Sequence, residues 1–318
     1  MAVGVYAPER VLVTGGAGFI GRHLVRRLIK DGHQVTIVDS LDARVHPSET
    51  LPAFPDGVGF VRCMVDAIPY SVRREQDRVI HLAAQVSVAD SMTDYRRYVD
   101  QNTYQTATFL QDMRCNPDLK RLVVASSMSV YGDGGPRVHE QAPCVPTSVY
   151  GLTKYDQERL CLMWGESQMR QTLALRFFNV YGPEQALHNG YTGVLANFAN
   201  KLLHDEAPVI FEDGSQTRDF VYVGDVVDAV IRAAFGDVRA HGAYNICTGY
   251  PTTILYAATA LARALGKGHI EPHITRKCRD GDIKHCTGDP YRTSAHLGWT
   301  SMVPFDLGVR EYAKWLLQ

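Results

Sequence analysis

The chain has 318 residues, a formal net charge of −1 and 45% hydrophobic residues. That length can bury a substantial core, as one large α/β domain or two lobes. The near-zero charge excludes a nucleic-acid footprint, and no apolar run is long enough to span a bilayer.

The first strand is Arg10–Thr14, an apolar run. It feeds Gly15-Gly-Ala-Gly-Phe-Ile-Gly21, a glycine-rich turn, and then an amphipathic helix to about Asp31. Glycine at 15, 18 and 21 permits a tight turn and close backbone approach to phosphate. Phe19 and Ile20 then lie in the first helical turn, where unpaired amides and the helix dipole favour a pyrophosphate. The second strand, Gln34–Asp39, ends on a carboxylate 18 residues after Gly21. Asp39 there can accept hydrogen bonds from an adenosine ribose and repels a ribose phosphate, so the reading is NAD over NADP. Arg44 is the residue that would favour the phosphate.

Strands follow at 60–63 and 78–82, with a short helix between them. His81-Leu82-Ala83-Ala84 closes the fourth strand on small residues, which lets a dinucleotide lie close. His81 has apolar sequence neighbours and no paired carboxylate, so it reads as structural. A long helix is predicted over 95–113, a strand over 121–126, a helix beginning near Tyr150 and a strand over 172–177. Strand–helix alternation with apolar strands implies a Rossmann-type, doubly wound parallel sheet covered on both faces. After Asn179 the pattern changes, with loops at Pro183, Gly190 and Gly193 and helices over 194–203, 225–235 and 305–317. Residues 1–178 are expected to form the nucleotide-binding domain, with 219–247 returning to it. Residues 179–218 and 248–318 form a smaller mixed α/β substrate lobe.

The chemistry centres on Tyr150-Gly-Leu-Thr-Lys154. On a helix this spacing sets the phenol and the ammonium on one face, and a nearby cation favours phenolate. The hydroxyl-rich strand end Ser126-Ser127 precedes it by one loop. Together they predict a Ser-Tyr-Lys hydride-transfer site. Seven scattered cysteines lack metal-ligand spacing, so no metal is expected, and their usage fits a reducing cytoplasm.

With these motifs in order, the chain resembles the extended short-chain dehydrogenase/reductase family, in its nucleotide-sugar epimerase/dehydratase branch. The resemblance rests on Thr14 to Gly21, His81 to Ala84, Ser126-Ser127, Tyr150 to Lys154 and Arg176-Phe-Phe-Asn-Val-Tyr-Gly-Pro183. It implies Ser127 as the hydroxyl bonded to the reacting sugar oxygen, Tyr150 as acid/base, and Lys154 as the holder of the nicotinamide ribose that lowers the tyrosine pKa. Gly15, Gly18, Phe19, Ile20, Gly21, Asp39, Leu82, Ala83, Ala84 and Asn102 are the cofactor-side positions. Ser129, Asn179, Val194, Arg218, Arg279 and Asp282 are the substrate-side positions, with the arginines on a diphosphate and Asp282 on a nucleotide ribose. The family's acidic adenine contact is replaced near Cys63-Met64, with Asp66 as the candidate substitute, and Tyr222 stands in place of a histidine.

Family dehydratases and decarboxylases carry an acidic residue just before Val130-Tyr131-Gly132; this chain has Met128 and Ser129, which cannot do that proton chemistry. The resemblance therefore implies an NAD-dependent 4-epimerase acting on a nucleotide-diphosphate sugar, closest to dTDP-L-rhamnose and UDP-glucose 4-epimerases. A 4-ketoreductase and a noncatalytic NAD-sensing regulator are the alternatives. The resemblance also implies a homodimer through a four-helix bundle of the helices at 95–113 and 150–164.

Overall fold

The computed structural model describes residues 7–46, 48–187, 193–237, 239–277 and 283–318. Its main sheet has strands β1 (Arg10–Thr14), β2 (Gln34–Asp39), β3 (Gly59–Arg62), β4 (Arg78–His81), β5 (Arg121–Ser127), β6 (Gln171–Phe177) and a seventh, Gly242–Ile246. All pair in parallel, and the spatial order is Gly242–Ile246, β6, β5, β4, β1, β2, β3. The strand order reverses beside β1, which opens a crevice at the carboxyl ends of β1 and β4.

Helices cover both faces because the strands are apolar on both. One core unites Val11, Val13 and Ile37 with Leu24 and Leu28 of α1 (Phe19–Lys30) and with Val226 and Val230 of the Val223–Phe235 helix. The opposite face packs Leu12, Val79, Leu122 and Val124 against Phe109, Met113 and Cys161. A third core, including Phe198, Leu202, Phe220, Leu261 and Tyr312, builds the second lobe. The two lobes are stitched by Asn179–Tyr181 running parallel to Phe220–Tyr222. No helix among the described residues is long and apolar enough to cross a membrane.

The helix predicted over 95–113 is a composite. Tyr95–Tyr98 and Gln105–Asp112 are α-helical, whereas Val99–Tyr104 widens into a π-helical segment. This insertion buries Asn102 at 0% exposure. Such widened turns change which side chains face inward and often lie at functional sites.

One polar cluster joins five elements beneath the crevice. Glu158, on the Val149–Ser167 helix, accepts from Ser126 Oγ at 2.6 Å and from Arg176 Nε and Nη2 at 2.9 and 2.6 Å. Arg176 Nη1 also donates to Tyr131 Oη at 2.8 Å, and Tyr131 donates to Asn245 Oδ1 at 2.6 Å. Both members of the ion pair are buried, which makes removal of one partner costly. Replacing Arg176 with methionine is expected to destabilise the fold by roughly 3–5 kcal/mol, read as a shift in the denaturant midpoint at unchanged m-value.

Candidate active site

A single cavity of about 830 Å³ runs along the carboxyl end of the sheet and into the second lobe. Its cofactor half is lined by Gly15, Gly18, Phe19, Ile20, Gly21, Asp39, Leu82, Ala83 and Ala84. The glycine turn is sterically required. Gly15 has φ +69°, and a Cβ there would lie 2.8 Å from the Ala83 nitrogen; at Gly21 it would lie 2.4 Å from the Gly15 carbonyl oxygen. Gly18 is the N-cap of α1 and offers no side chain to its amides, which leaves the helix N-terminus to an anionic ligand. Asp39 is held by the backbone amides of Ala17 (3.0 Å) and Leu41 (2.9 Å), and its carboxylate still faces the cavity. These residues fit a dinucleotide with an unphosphorylated adenosine ribose. Arg44 points to Asp94 at 3.6 Å.

Cys63, Met64 and Val65 also line this half, whereas Asp66 does not. A short 3-10 turn over Val65–Ala67 carries the carboxylate past the wall. The expected acidic substitute at the adenine end is thus replaced by an apolar and thiol surface.

The reacting end lies where β5 stops. Ser127 caps a single turn, Met128–Tyr131, and accepts from the Ser129 amide at 3.2 Å. Its hydroxyl lies 3.2 Å from Ser129 Oγ and lines the cavity beside the Tyr150 phenol. Tyr150 sits in the first turn of the Val149–Ser167 helix, whose N-cap Ser148 accepts from the Gly151 amide. Burial raises the Tyr150 pKa, and the Ser127 hydrogen bond opposes that rise.

Lys154 lines the same cavity but departs from the expected pairing. Its Nζ donates to Gln157 Oε1, and burial pushes its pKa down to about 7, opposed by Cys161 and Glu158. In this structure the group that pulls the phenol pKa down is Ser127. Gln157 Nε2 shares its two N–H groups among His81 Nε2 (2.9 Å), Thr106 Oγ1 (3.0 Å) and the Ala83 carbonyl (3.2 Å). His81 Nδ1 lies 2.7 Å from Thr14 Oγ1. An amide whose oxygen is taken by the ammonium must present its N–H groups to His81, so His81 accepts at Nε2 and carries its proton on Nδ1. His81 is therefore structural, although its neighbours are polar as well as apolar: it also stacks on Phe109 at 5.2 Å.

Asn102 does not face the cavity. Its Oδ1 accepts from the Gln85 amide (2.7 Å), and its Nδ2 donates to the Gln85 carbonyl (3.0 Å) and Thr153 Oγ1 (3.1 Å). With both amide ends satisfied by protein, it positions the segment after Ala84 rather than touching a cofactor. On the substrate side, Ser129, Asn179 and Arg218 line the cavity. Asn179 Oδ1 is buried without a protein partner, as expected of a group waiting for a ligand. Val194 opens the Val194–Leu203 helix but packs on the second lobe's core; its neighbours Gly193 and Asn197 line the cavity instead. Gln185 lines it too, with Oε1 unpartnered, and no sequence pattern singled it out. Arg279 and Asp282 lie outside the described residues.

The sequence profile of the NAD dependent epimerase/dehydratase family matches residues 11–247. This chain belongs to that family. Family members similar to it include a dTDP-L-rhamnose 4-epimerase of Burkholderia thailandensis, 30% identical over 98% of this chain and 95% of the relative. The fold superimposes on a UDP-N-acetylglucosamine 4-epimerase of Methanobrevibacter ruminantium with TM-score 0.89 and 29% identity, covering 98% of this chain and 99% of that one. It also matches a Thermus thermophilus UDP-glucose 4-epimerase in complex with NAD, with TM-score 0.84 and 32% identity over 97% and 99% of the two chains.

Neutral His81 has a pH signature. Burial, with Lys154 adding to it, holds its pKa near 3, below the ordinary 6.5. Between those values the unfolded chain binds a proton that the folded chain refuses, so this contribution to stability is lost as pH falls from 6.5 towards 3. His81→Gln is expected to flatten that part of the curve of unfolding free energy against pH; an unchanged slope would contradict the assignment.

Proposed function

We propose that this protein is an NAD-dependent nucleotide-sugar 4-epimerase, inverting the 4-position through a transient 4-keto sugar. The observation that carries the reading is the turn after β5. Ser127, Ser129 and Tyr150 converge on one point of the cavity, and the two residues after Ser127 are Met128 and Ser129. The site therefore has one proton-transfer group for one hydroxyl, without a second acid or base in that turn for elimination.

The glycine turn, Asp39 and Lys154 would hold NAD, which would supply a reversible hydride acceptor. The protein's own work is positional and protonic. Ser127 orients the sugar 4-oxygen, and Tyr150 takes its proton and later returns it to the ketone oxygen. Tyr150 begins the cycle as phenolate, which Ser127 favours against the upward push of burial, and the proton it takes from the sugar makes it the acid of the return step. Asn179 and Arg218 are suited to hold the nucleotide diphosphate while the sugar turns, so binding energy is retained between the two half-reactions.

We further propose that the protein is a homodimer. Exposed Val99 and Leu152, with Tyr95 and Met163, form apolar positions on two helices cross-linked by Asn102–Thr153 and Thr103–Asp156 hydrogen bonds. These are the helices a four-helix bundle would use.

Tyr150→Phe removes the proton carrier and preserves the ring. It is expected to lower 4-epimer formation by about 10²- to 10⁴-fold, measured by proton NMR of nucleotide sugars, with the melting temperature near that of the parent. Near-parental turnover in a folded Tyr150→Phe protein would sink the assignment.

A further inference from the structure

Gln157 is an amide at 0% exposure in the Val149–Ser167 helix, three residues after Lys154. That spacing puts both side chains on one face of the helix. Gln157 Oε1 takes a hydrogen of the Lys154 ammonium, and Lys154 lines the cavity. One N–H direction of the ammonium is thereby fixed, which sets where its other two can point.

The nitrogen end of the amide is tied to three elements. It meets His81 Nε2 on β4, Thr106 Oγ1 on the Gln105–Asp112 helix and the Ala83 carbonyl just past β4. Thr106 Oγ1 also lies 3.2 Å from His81 Nε2. These anchors keep the amide from turning over. A flipped amide would set its oxygen against the His81 lone pair and the Ala83 oxygen. It would also set its N–H groups against an ammonium, which cannot accept.

The Ala83 peptide is held on both sides. Its carbonyl accepts from Gln157, and its N–H donates to Thr14 Oγ1 at 3.3 Å. Ala83 lines the cofactor half of the cavity, and a Cβ on Gly15 would press on its nitrogen. Gln157 therefore grips the ammonium with one end of its amide and the strand end that faces the glycine turn with the other.

The titratable groups acting on Lys154 are Cys161 and Glu158 of its own helix, and Lys154 acts in turn on His81 of β4. Glu158 is already paired with Arg176, and His81 is neutral. A buried ammonium needs an acceptor that stays with it, and Gln157 supplies one.

We propose that Gln157 is a positioning residue of the reaction, keeping the Lys154 ammonium charged and aimed into the cofactor half of the cavity by bracing it against His81 and Ala83. Its part in turnover rests on the 4-epimerase reading; its hold on Lys154 does not.

The test reads Lys154 itself. Protein with isotope-labelled lysine side chains is titrated by NMR, as isolated and again with NAD added. The Lys154 signal is assigned by its loss in Lys154→Met. Gln157→Met keeps the length of the side chain and removes the acceptor, so the Lys154 midpoint is expected to fall by about one pH unit. Gln157→Glu keeps an oxygen in place and adds negative charge, so the midpoint is expected to rise by about one unit. A role in packing alone would move neither. The signs carry over to turnover: an ammonium of lower pKa is lost at lower pH. The alkaline limb of kcat/KM is thus expected to shift down in Gln157→Met and up in Gln157→Glu. Midpoints within about 0.3 unit of the parent in both variants would overturn the proposal. If Gln157→Met does not fold, an unmoved midpoint in Gln157→Glu overturns it alone. A parent protein that epimerises no nucleotide sugar would count against the reaction and leave the two midpoints to decide the role of Gln157.

Discussion

The ion pair between Glu158 and Arg176 is the constraint on which the site depends. Glu158 sits one turn beyond Lys154 on the helix that begins with Tyr150, and Arg176 is on β6. The same carboxylate takes the hydroxyl of Ser126, whose neighbour Ser127 faces Tyr150. Adjacent serines at a strand end point to opposite sides, so one anchors the strand to the helix while the other stands beside Tyr150. A buried pair of this kind is an uncertain source of net stability, since desolvation offsets attraction. Its value here is geometric: it fixes the helix against β5 and β6, with Tyr131 and Asn245 extending the hold to the Gly242–Ile246 strand.

A second polar chain works from the other side of the helix. Lys154, Gln157, His81 and Thr14 connect the ammonium to the strand end that supports the glycine turn. Gln157 and His81 are buried, and each gives a hydrogen-bonding group to the other. Together the two networks hold both ends of the Ser-Tyr-Lys set while leaving the cavity wall at 86–92 to a separate clamp through Asn102.

Local patterns made much of this legible in the sequence. The glycine turn, Asp39, the Ala83-Ala84 strand end and the Tyr150–Lys154 spacing depend on short-range geometry, and their residues line one cavity in the structure. What escaped depends on long-range pairing. Nothing in the sequence near Gln157 announces a bond to His81, 76 residues away. The π-helical segment that turns Asn102 inward breaks the 3.6-residue period on which helix faces are read. Val194 is expected from its motif and Asp66 as a stand-in for the acid missing near Cys63-Met64, yet a helix face and a 3-10 turn direct them away from the cavity. Gln185 lies in an irregular loop, where periodicity carries no signal.

The central claim is that a single tyrosine moves one proton while hydride leaves and returns to the same carbon within a closed site. A nucleotide sugar deuterated at C4 tests it most directly, incubated with the protein in ordinary water without added reduced cofactor. The account predicts a 4-epimer that retains deuterium at C4, seen by mass spectrometry and by the absence of the H4 proton signal. A 4-epimer that has exchanged its C4 deuterium for solvent hydrogen would contradict it.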